Sequence, residues 1–403
     1  MGASTLKVAD SIESSGFPLA FKVAQGAART PLLGMAAAED VMKVELRAMG
    51  GHQKECVVTD GVSGSAWRLV SDEGAALTGT DLAPYPLGFM SAGCQAELQS
   101  RITRLAAARG IAINSLRTEL ITRYAFAGSF FRGTGRGSAL APAFRVHIES
   151  PAKADEIRAL VKAAADASPL IAAVRTALHN TFALYVNGQR RTPLEVPPSA
   201  NPDAPDPLKT WKGLPQPLVN ADVLDGIVTK ISEPPADTGP KRPPMTAEAD
   251  VRFAIDIRGS SSCKDGVTTS QTWAEGPRGS TFGVKSDERA SHDAAPSGLA
   301  IAAAGVAFCL MTQLLRYSEY RKYQIRAVRL VQYWPMAQTL GASGSLAASS
   351  GNLDTHVFLH GDETDENMGH LLASSANTCY LHAMLGGALE PEIEVLLNGT
   401  GVY

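Results

Sequence analysis

The chain has 403 residues, with 37 Lys and Arg against 40 Asp and Glu, so its formal net charge is −3. This length predicts about two domains. A charge so near zero provides no basic field for nucleic acid and no polybasic segment for a membrane surface. The N-terminus lacks the basic and apolar regions of a secretory signal, so we expect a cytoplasmic protein whose five cysteines stay reduced.

The predicted elements of the first half follow an N-terminal arm, residues 1–40. Alternating apolar residues in "MKVELRAM" and "SAWRLV" are typical of strands, and "GCQAELQSRITRLAAARG" is typical of a helix that ends at Gly110. Two further strand-like segments, "SLRTELITRYAFAG" and "AFRVHIES", come next. The order of strands and helices indicates an α+β fold.

The second half repeats this order after a proline-rich linker, residues 189–249, in which we expect no regular structure. Its strand-like segments are "VRFAIDIRG", "STFGVK", "IRAVRLVQYW" and "DTHVFLHG", and a helix is predicted over Leu299–Tyr320. Both long helices are apolar nearly all round, so we expect them to be buried. The apolar run within the second helix is marginal for a membrane span.

Short motifs recur in register between the halves. "SDE" stands at 71–73 and again at 286–288, and a cysteine follows each serine after 23 residues, at Cys94 and Cys309. Segments 146–188 and 357–399 have equal length and the same pattern of strand, turn, helix and final strand. In that register Ser168 is opposite Cys379 and Ile171 is opposite His382, which indicates a tandem duplication.

This series of motifs resembles the OsmC and organic hydroperoxide resistance family. The resemblance rests on the "SDE" strand end, the small-residue helix with "AGC" or "AFC", and the strand, turn and helix that close on a second cysteine. It covers residues 41–188 and 250–403. It implies two OsmC-like domains with antiparallel sheets wrapped around central buried helices, joined as an internal pseudo-dimer.

The resemblance also implies a chemistry. Family members reduce organic hydroperoxides, so Cys309 is expected to attack the peroxide and Cys379 to resolve the product as a disulfide. At the two equivalent positions the first half has Cys94 and Ser168, so its site, with a single cysteine, is expected to be degenerate. The implied substrate is a small apolar molecule and the implied reductant an external dithiol, small or carried by a protein. We expect no bound cofactor and no metal.

The sequence departs from the family around the thiol. Members carry Asn-Pro-Glu shortly before the first cysteine, and the glutamate orients an arginine that lowers the thiol pKa. Here "APYPLG" (83–88) and "APSGLA" (295–300) have no glutamate after the proline. Arg47 and Arg258, at the ends of early strands, are the candidates for that arginine.

Two other functions remain open from the residues alone. His382 follows Cys379 by three positions, on one face of a helix, and His292 precedes the second long helix. A cysteine and a histidine base can hydrolyse an ester or a carbon–carbon bond next to a ketone, with Cys309 or Cys379 as nucleophile. The third alternative is a non-catalytic protein that binds apolar ligands between the domains.

Overall fold

The computed structural model describes residues 10–26, 38–129, 132–234, 251–276, 278–289, 293–340 and 345–402. Within these ranges the protein has eight α-helices and two large sheets in which most strand pairs are antiparallel. This mixed architecture confirms the predicted α+β class.

Two long helices, α2 and α6, lie at the centre of the molecule. The helices in chain order are α1 (Ile12–Ser15), α2 (Pro86–Ala108), α3 (Ala154–Asp166), α4 (Pro169–Arg175), α5 (Leu208–Lys212), α6 (Gly298–Arg321), α7 (Asp365–Thr378) and α8 (Tyr380–Gly386). Helix α2 begins with a proline, whose missing amide costs no hydrogen bond at that position. Helix α6 begins after Ser297, whose hydroxyl accepts a 3.1 Å hydrogen bond from the amide of Ala300.

The strands cover the segments that the sequence predicted. They are β1 (Ala20–Ala24), β2 (Ala38–Ala48), β3 (Lys54–Thr59), β4 (Ala66–Ser71), β5 (Ser115–Ala127), β6 (Arg136–Ala139), β7 (Ala143–Glu149), β8 (Thr181–Val186), β9 (Gln189–Arg191), β10 (Val228–Ser232), β11 (Val251–Lys264), β12 (Val267–Ala274), β13 (Thr281–Asp287), β14 (Ile325–Leu340), β15 (Leu346–Ser350), β16 (Asp354–Gly361), β17 (Glu392–Leu397) and β18 (Thr400–Gly401). Several strands, such as β4, are buried on both faces. Along β5, every second side chain is buried, so one face of the sheet packs on the core.

Each sheet contains strands from both ends of the chain. The first has the order β1-β4-β3-β2-β14-β16-β8-β9, with β15 paired to β14, and the second has the order β10-β13-β12-β11-β5-β7-β17-β18, with β6 paired to β5. In each sheet, three early strands of one half lie beside two late strands of the other half, and one pair joins them, β2–β14 or β11–β5. The last strand of the half that supplies the early strands, β8 or β17, then follows. The pairs β16–β8 and β7–β17 are parallel. Both sheets repeat the same order with the roles of the halves exchanged.

Helices α2 and α6 pack closely because small residues line their contact. A Cβ atom added at Gly93 would lie 2.6 Å from the carbonyl oxygen of Gly298 and 2.7 Å from the amide nitrogen of Ala302. One turn away, the rings of Phe89 and Phe308 lie 5.4 Å apart. Both helices are buried on nearly all sides, as predicted. Helix α6 is long and apolar enough to span a membrane, but 94% of its most apolar segment is buried inside the protein, as in a core helix.

The arm and the linker both contribute structure to the sheets. In the arm, α1 has only four residues, and β1 pairs with β4 at the edge of the first sheet. The expectation of a linker without regular structure was wrong, since β9, α5 and β10 lie in it. Its prolines between residues 193 and 234 lie outside these short elements, where a missing amide breaks no helix or strand pairing. Trp211 of α5 is buried against Arg47 of the first sheet.

Candidate functional site

Cys309 lies on α6 and forms part of the wall of a cavity of about 230 Å³. The thiol residue is only 2% exposed. Both halves of the chain line this cavity. The first half supplies Glu73, Tyr85, Pro86, Leu87 and Phe126, and the second supplies Ile255, Arg278, Thr312, Gln313, Arg316 and Tyr380. Apolar and aromatic side chains therefore share the space with two guanidinium groups and one carboxylate.

Cys379 lies behind Cys309, at the residue that joins α7 to α8. Its side chain is fully buried and does not line the cavity. The Cys309 side chain is near enough to act on the pKa of Cys379, and all five cysteines are free thiols. Burial, and then this contact with Cys309, raise the pKa of Cys379 well above its usual value. The structure thus brings the two cysteines of the predicted pair together.

His382 contacts the second of these thiols. Its Nδ1 lies 3.0 Å from the Sγ atom of Cys379, and its ring lies 5.6 Å from that of Phe182. Burial lowers the pKa of His382 to about 4. Its Nε2 is buried and has no hydrogen-bond partner among the described residues. At neutral pH this is a neutral thiol–imidazole pair, since burial disfavours both the thiolate and the imidazolium.

Two arginines of the cavity were not predicted from the sequence. Arg316 follows Cys309 by seven residues, so it projects from the same face of α6, and this spacing could have identified it. Arg278 lies in the connection between β12 and β13, where no periodicity marks it. Its Nη1 donates a 2.7 Å hydrogen bond to the carbonyl oxygen of Ala254, and burial lowers its pKa. The guanidiniums lie where a positive charge would favour a thiolate or another anion.

Glu73 is the third polar group that sequence reasoning missed, although it ends the first "SDE" motif. Its Oε1 accepts hydrogen bonds from Thr312 Oγ1, at 2.5 Å, and from Lys54 Nζ, at 3.1 Å. Glu73 belongs to the first half, whereas Thr312 lies one helical turn after Cys309. The Cys309 cavity is therefore completed by a residue more than two hundred positions away in the sequence.

The predicted arginines lie elsewhere. Arg47 contacts Glu55 and Asp10, and Arg258 lies 2.5 Å from Glu275. Neither lines the Cys309 cavity. Arg47 lines a separate cavity of about 630 Å³, together with His52 and Trp211. His292 lies outside the described residues.

Cys94 occupies a different environment from Cys309, although the repeat makes them equivalent. Burial, with a smaller effect of Glu97, raises the pKa of Cys94 to about 12. Ser168 begins α4 as Cys379 begins α8, but its hydroxyl donates to the carboxylate of Glu97. Arg101 lies 2.5 Å from that same carboxylate. Ser168 is thus bound to a buried ion pair instead of standing beside a second thiol.

The remaining histidines of interest are dispersed. His356 is hydrogen-bonded to Asp354 and Tyr185, and His360 lies 3.3 Å from Asp206. His370 is only partly buried. Within the part of the chain that the structure describes, no group of three or more metal-ligating side chains comes together.

Comparison with known proteins found a similarity only at the level of structure. No protein-family model matches the sequence, and no curated protein matches it. A matching solved structure is an OsmC-like hydroperoxide resistance protein from Jannaschia sp. CCS1. The two share 19% sequence identity with a TM-score of 0.26, and the match covers 37% of this chain and 96% of that one.

Proposed function

We propose that the protein is a thiol-dependent peroxidase that reduces organic hydroperoxides through Cys309 and Cys379. One observation carries the proposal. A thiol on the wall of a largely apolar cavity neighbours a second, fully buried thiol that does not line the cavity. An apolar cavity admits an alkyl or aryl hydroperoxide, and a neighbouring thiol can condense with an oxidised first thiol.

The reaction proceeds in two steps at sulfur. The Cys309 thiolate attacks the outer peroxide oxygen, the O–O bond breaks, and the alkoxide leaves and is protonated to an alcohol, so Cys309 becomes a sulfenic acid. The Cys379 thiol then attacks that sulfur, a disulfide forms, and water leaves. An external dithiol returns both cysteines to thiols. No bound cofactor is required, and we propose a cytoplasmic, thiol-reducing setting for this cycle.

Arg278 and Arg316 have a defined role in this proposal. Positive charge beside a cysteine favours its thiolate, and it also stabilises the negative charge that develops on the departing alkoxide. These arginines replace Arg47 and Arg258 as the candidates for activation of the thiol, because they line the cavity and the predicted pair does not.

We also propose that residues 41–188 and 250–403 are duplicated domains forming an internal pseudo-dimer, with one complete cysteine site. The exchanged strand order of the two sheets supports this interpretation, as does the equivalent placement of Ser168 and Cys379 at the start of a short helix. The first-half site would be inactive, because Ser168 cannot resolve a sulfenic acid on Cys94.

Hydrolysis by a cysteine–histidine pair is the second candidate, and the 3.0 Å contact of His382 with Cys379 favours it. A base must accept the thiol proton, however, and burial lowers the pKa of His382 while it raises that of Cys379. Cys379 also lies off the cavity wall. A non-catalytic binder is the remaining alternative, and it needs neither thiol to react.

Turnover of cumene hydroperoxide with a dithiol separates these functions. We expect Cys309→Ser to abolish turnover, and Cys379→Ser to permit one oxidation of Cys309 and then lose activity. Cys94→Ser is the matched control and should retain wild-type turnover. Equal turnover by Cys309→Ser and the wild-type protein would contradict the peroxidase. Hydrolysis of esters or ketones without reductant, lost in Cys379→Ser, would favour the hydrolase.

A further inference from the structure

A buried lysine stands behind the carboxylate of the Cys309 cavity. Lys54 Nζ lies 3.1 Å from Glu73 Oε1 and 2.9 Å from the carbonyl oxygen of His52. The side chain of Lys54 is 0% exposed and that of Glu73 is 6% exposed. A buried charge is costly without a partner, and here each of these two groups is the counter-ion of the other. Lys54 does not itself line the cavity.

The pair changes the balance of charge around Cys309. Arg278 and Arg316 bring two positive charges to the cavity wall, and Glu73 brings one negative charge. If Glu73 had no other counter-ion, its charge would offset one of the guanidiniums. Because Lys54 is a counter-ion of Glu73, that carboxylate offsets less of the guanidinium charge at the cavity. Such interactions are strong where water is excluded.

This arrangement is specific to the Cys309 side of the molecule. Lys54 pairs with Ser71 across β3 and β4, and in the other sheet Thr268 pairs with Ser286 at the matching position. The residue equivalent to Thr312 is Glu97, which takes Arg101 as its partner. The Cys94 site therefore has Thr268 and Glu97 where the Cys309 site has Lys54 and Thr312, the two residues that hold the carboxylate of Glu73.

We propose that Lys54 is a positioning residue for the reaction of Cys309: it holds Glu73 as an ion pair and thereby preserves the net positive charge that stabilises the thiolate and the leaving alkoxide. This inference rests on the proposed peroxidase function. It assigns part of the reactivity of the second half to two residues of the first half, and neither residue reacts itself.

Other ionisable groups also face Cys309 or act on its neighbours. They are Arg278 with its neighbours Asp256 and Glu275, Arg316, His52 beside Lys54 and Glu73, Tyr85 before α2, Tyr124 on β5, and Cys379 and Tyr380 at the start of α8. Burial raises the pKa of each of the three tyrosines, so they stay neutral at neutral pH. They remain unchanged in the variants below, so any difference between variants reports on Lys54 and Glu73.

The test measures the rate of Cys309 oxidation in a single turnover with cumene hydroperoxide between pH 5 and 9. Lys54→Met should move the midpoint of the pH profile upward. At pH 7 the reaction should slow about tenfold for each pH unit by which that midpoint rises, because the thiolate fraction falls in proportion. Glu73→Gln should move the midpoint downward. The double variant, which removes both charges together, should lie between the two.

The control is Lys22→Met, which removes an equally buried lysine paired with Asp293 at 2.7 Å, away from the cavity. It should lose stability and keep the wild-type midpoint. A purely structural role for Lys54 would move both single variants in the same direction, or leave both midpoints unchanged, and either result overturns the inference while leaving the peroxidase intact. A wild-type Cys309 that does not oxidise at any pH would instead overturn the proposed function, and this inference with it.

Discussion

Burial acts in opposite directions on the pKa values of Cys379 and His382, because it disfavours the charged form of each side chain. The thiol keeps its proton and the imidazole stays neutral, so their 3.0 Å contact is a hydrogen bond between neutral groups. In the proposed cycle this suits a resolving thiol, which is held in place until Cys309 is oxidised. The three-residue spacing predicted their proximity, but the effect of burial on proton affinity depends on the packed core.

The buried state of His382 predicts a pH-dependent stability. Its pKa is about 4 in the folded protein against an ordinary 6.5, so the unfolded chain binds more protons between these values. Above pH 6.5 the neutral His382 should make its full contribution to the free energy of unfolding. As the pH falls from 6.5 to 4, that free energy should decrease, on the order of 3 kcal/mol in all.

Urea unfolding at pH 7 and pH 4.5 measures this effect. His382→Gln should remove most of that difference, whereas His370→Gln, at a partly exposed position of α7, should leave it unchanged. If His382→Gln unfolds with the same pH dependence as the wild-type protein, then His382 is not a buried neutral histidine.

Most elements follow from local sequence, but their pairing does not. Strand-like segments of the sequence predicted β5, β7, β14 and β16, and continuous apolar character predicted the buried helix α6. The strand pairs β2–β14 and β11–β5 join the two halves of the chain, and no local sequence pattern specifies these pairs. The short elements β9, α5 and β10 of the linker were not predicted, because the many prolines around them indicated irregular structure.

The contact between α2 and α6 gives a prediction at this scale. Alanine is ordinarily favoured over glycine inside a helix. At Gly93, however, the added methyl would meet the backbone of α6, so Gly93→Ala should destabilise the protein by about 1–3 kcal/mol.

Denaturant midpoints with unchanged m-values would report this destabilisation. Gly213→Ala is the control, because its added Cβ would lie 3.7 Å from the nearest carbonyl oxygens, an ordinary contact. A Gly93→Ala variant as stable as the wild-type protein would show that α2 and α6 can separate at no cost.

The candidate site lies where the two halves of the chain meet. The repeat register and the resemblance to the OsmC family together pointed to Cys309 and Cys379, since both depend only on the sequence. Glu73, Lys54 and Arg278 could not be predicted in this way, because their positions depend on how strands of one half pack on the helix of the other. The polar residues that we propose to act on the thiol therefore cannot be predicted from local sequence.

Interleaved sheets predict that the halves do not fold alone. A fragment of residues 1–240 would lack β14 and β16, which lie between β2 and β8, and a fragment of residues 241–403 would lack β5 and β7. Expressed separately, each should show little cooperative unfolding by circular dichroism. Mixed during refolding, they should associate one to one and regain the structure. Cooperative unfolding of either fragment on its own would contradict this view.

Peptide mapping after brief exposure of the whole protein to one equivalent of an organic hydroperoxide tests the proposed peroxidase without relying on any variant. We expect rapid formation of a Cys309–Cys379 disulfide, reversed by a dithiol, with Cys94, Cys56 and Cys263 still reduced. If Cys309 and Cys379 both remain thiols while the hydroperoxide persists, the protein is not a peroxidase of this kind.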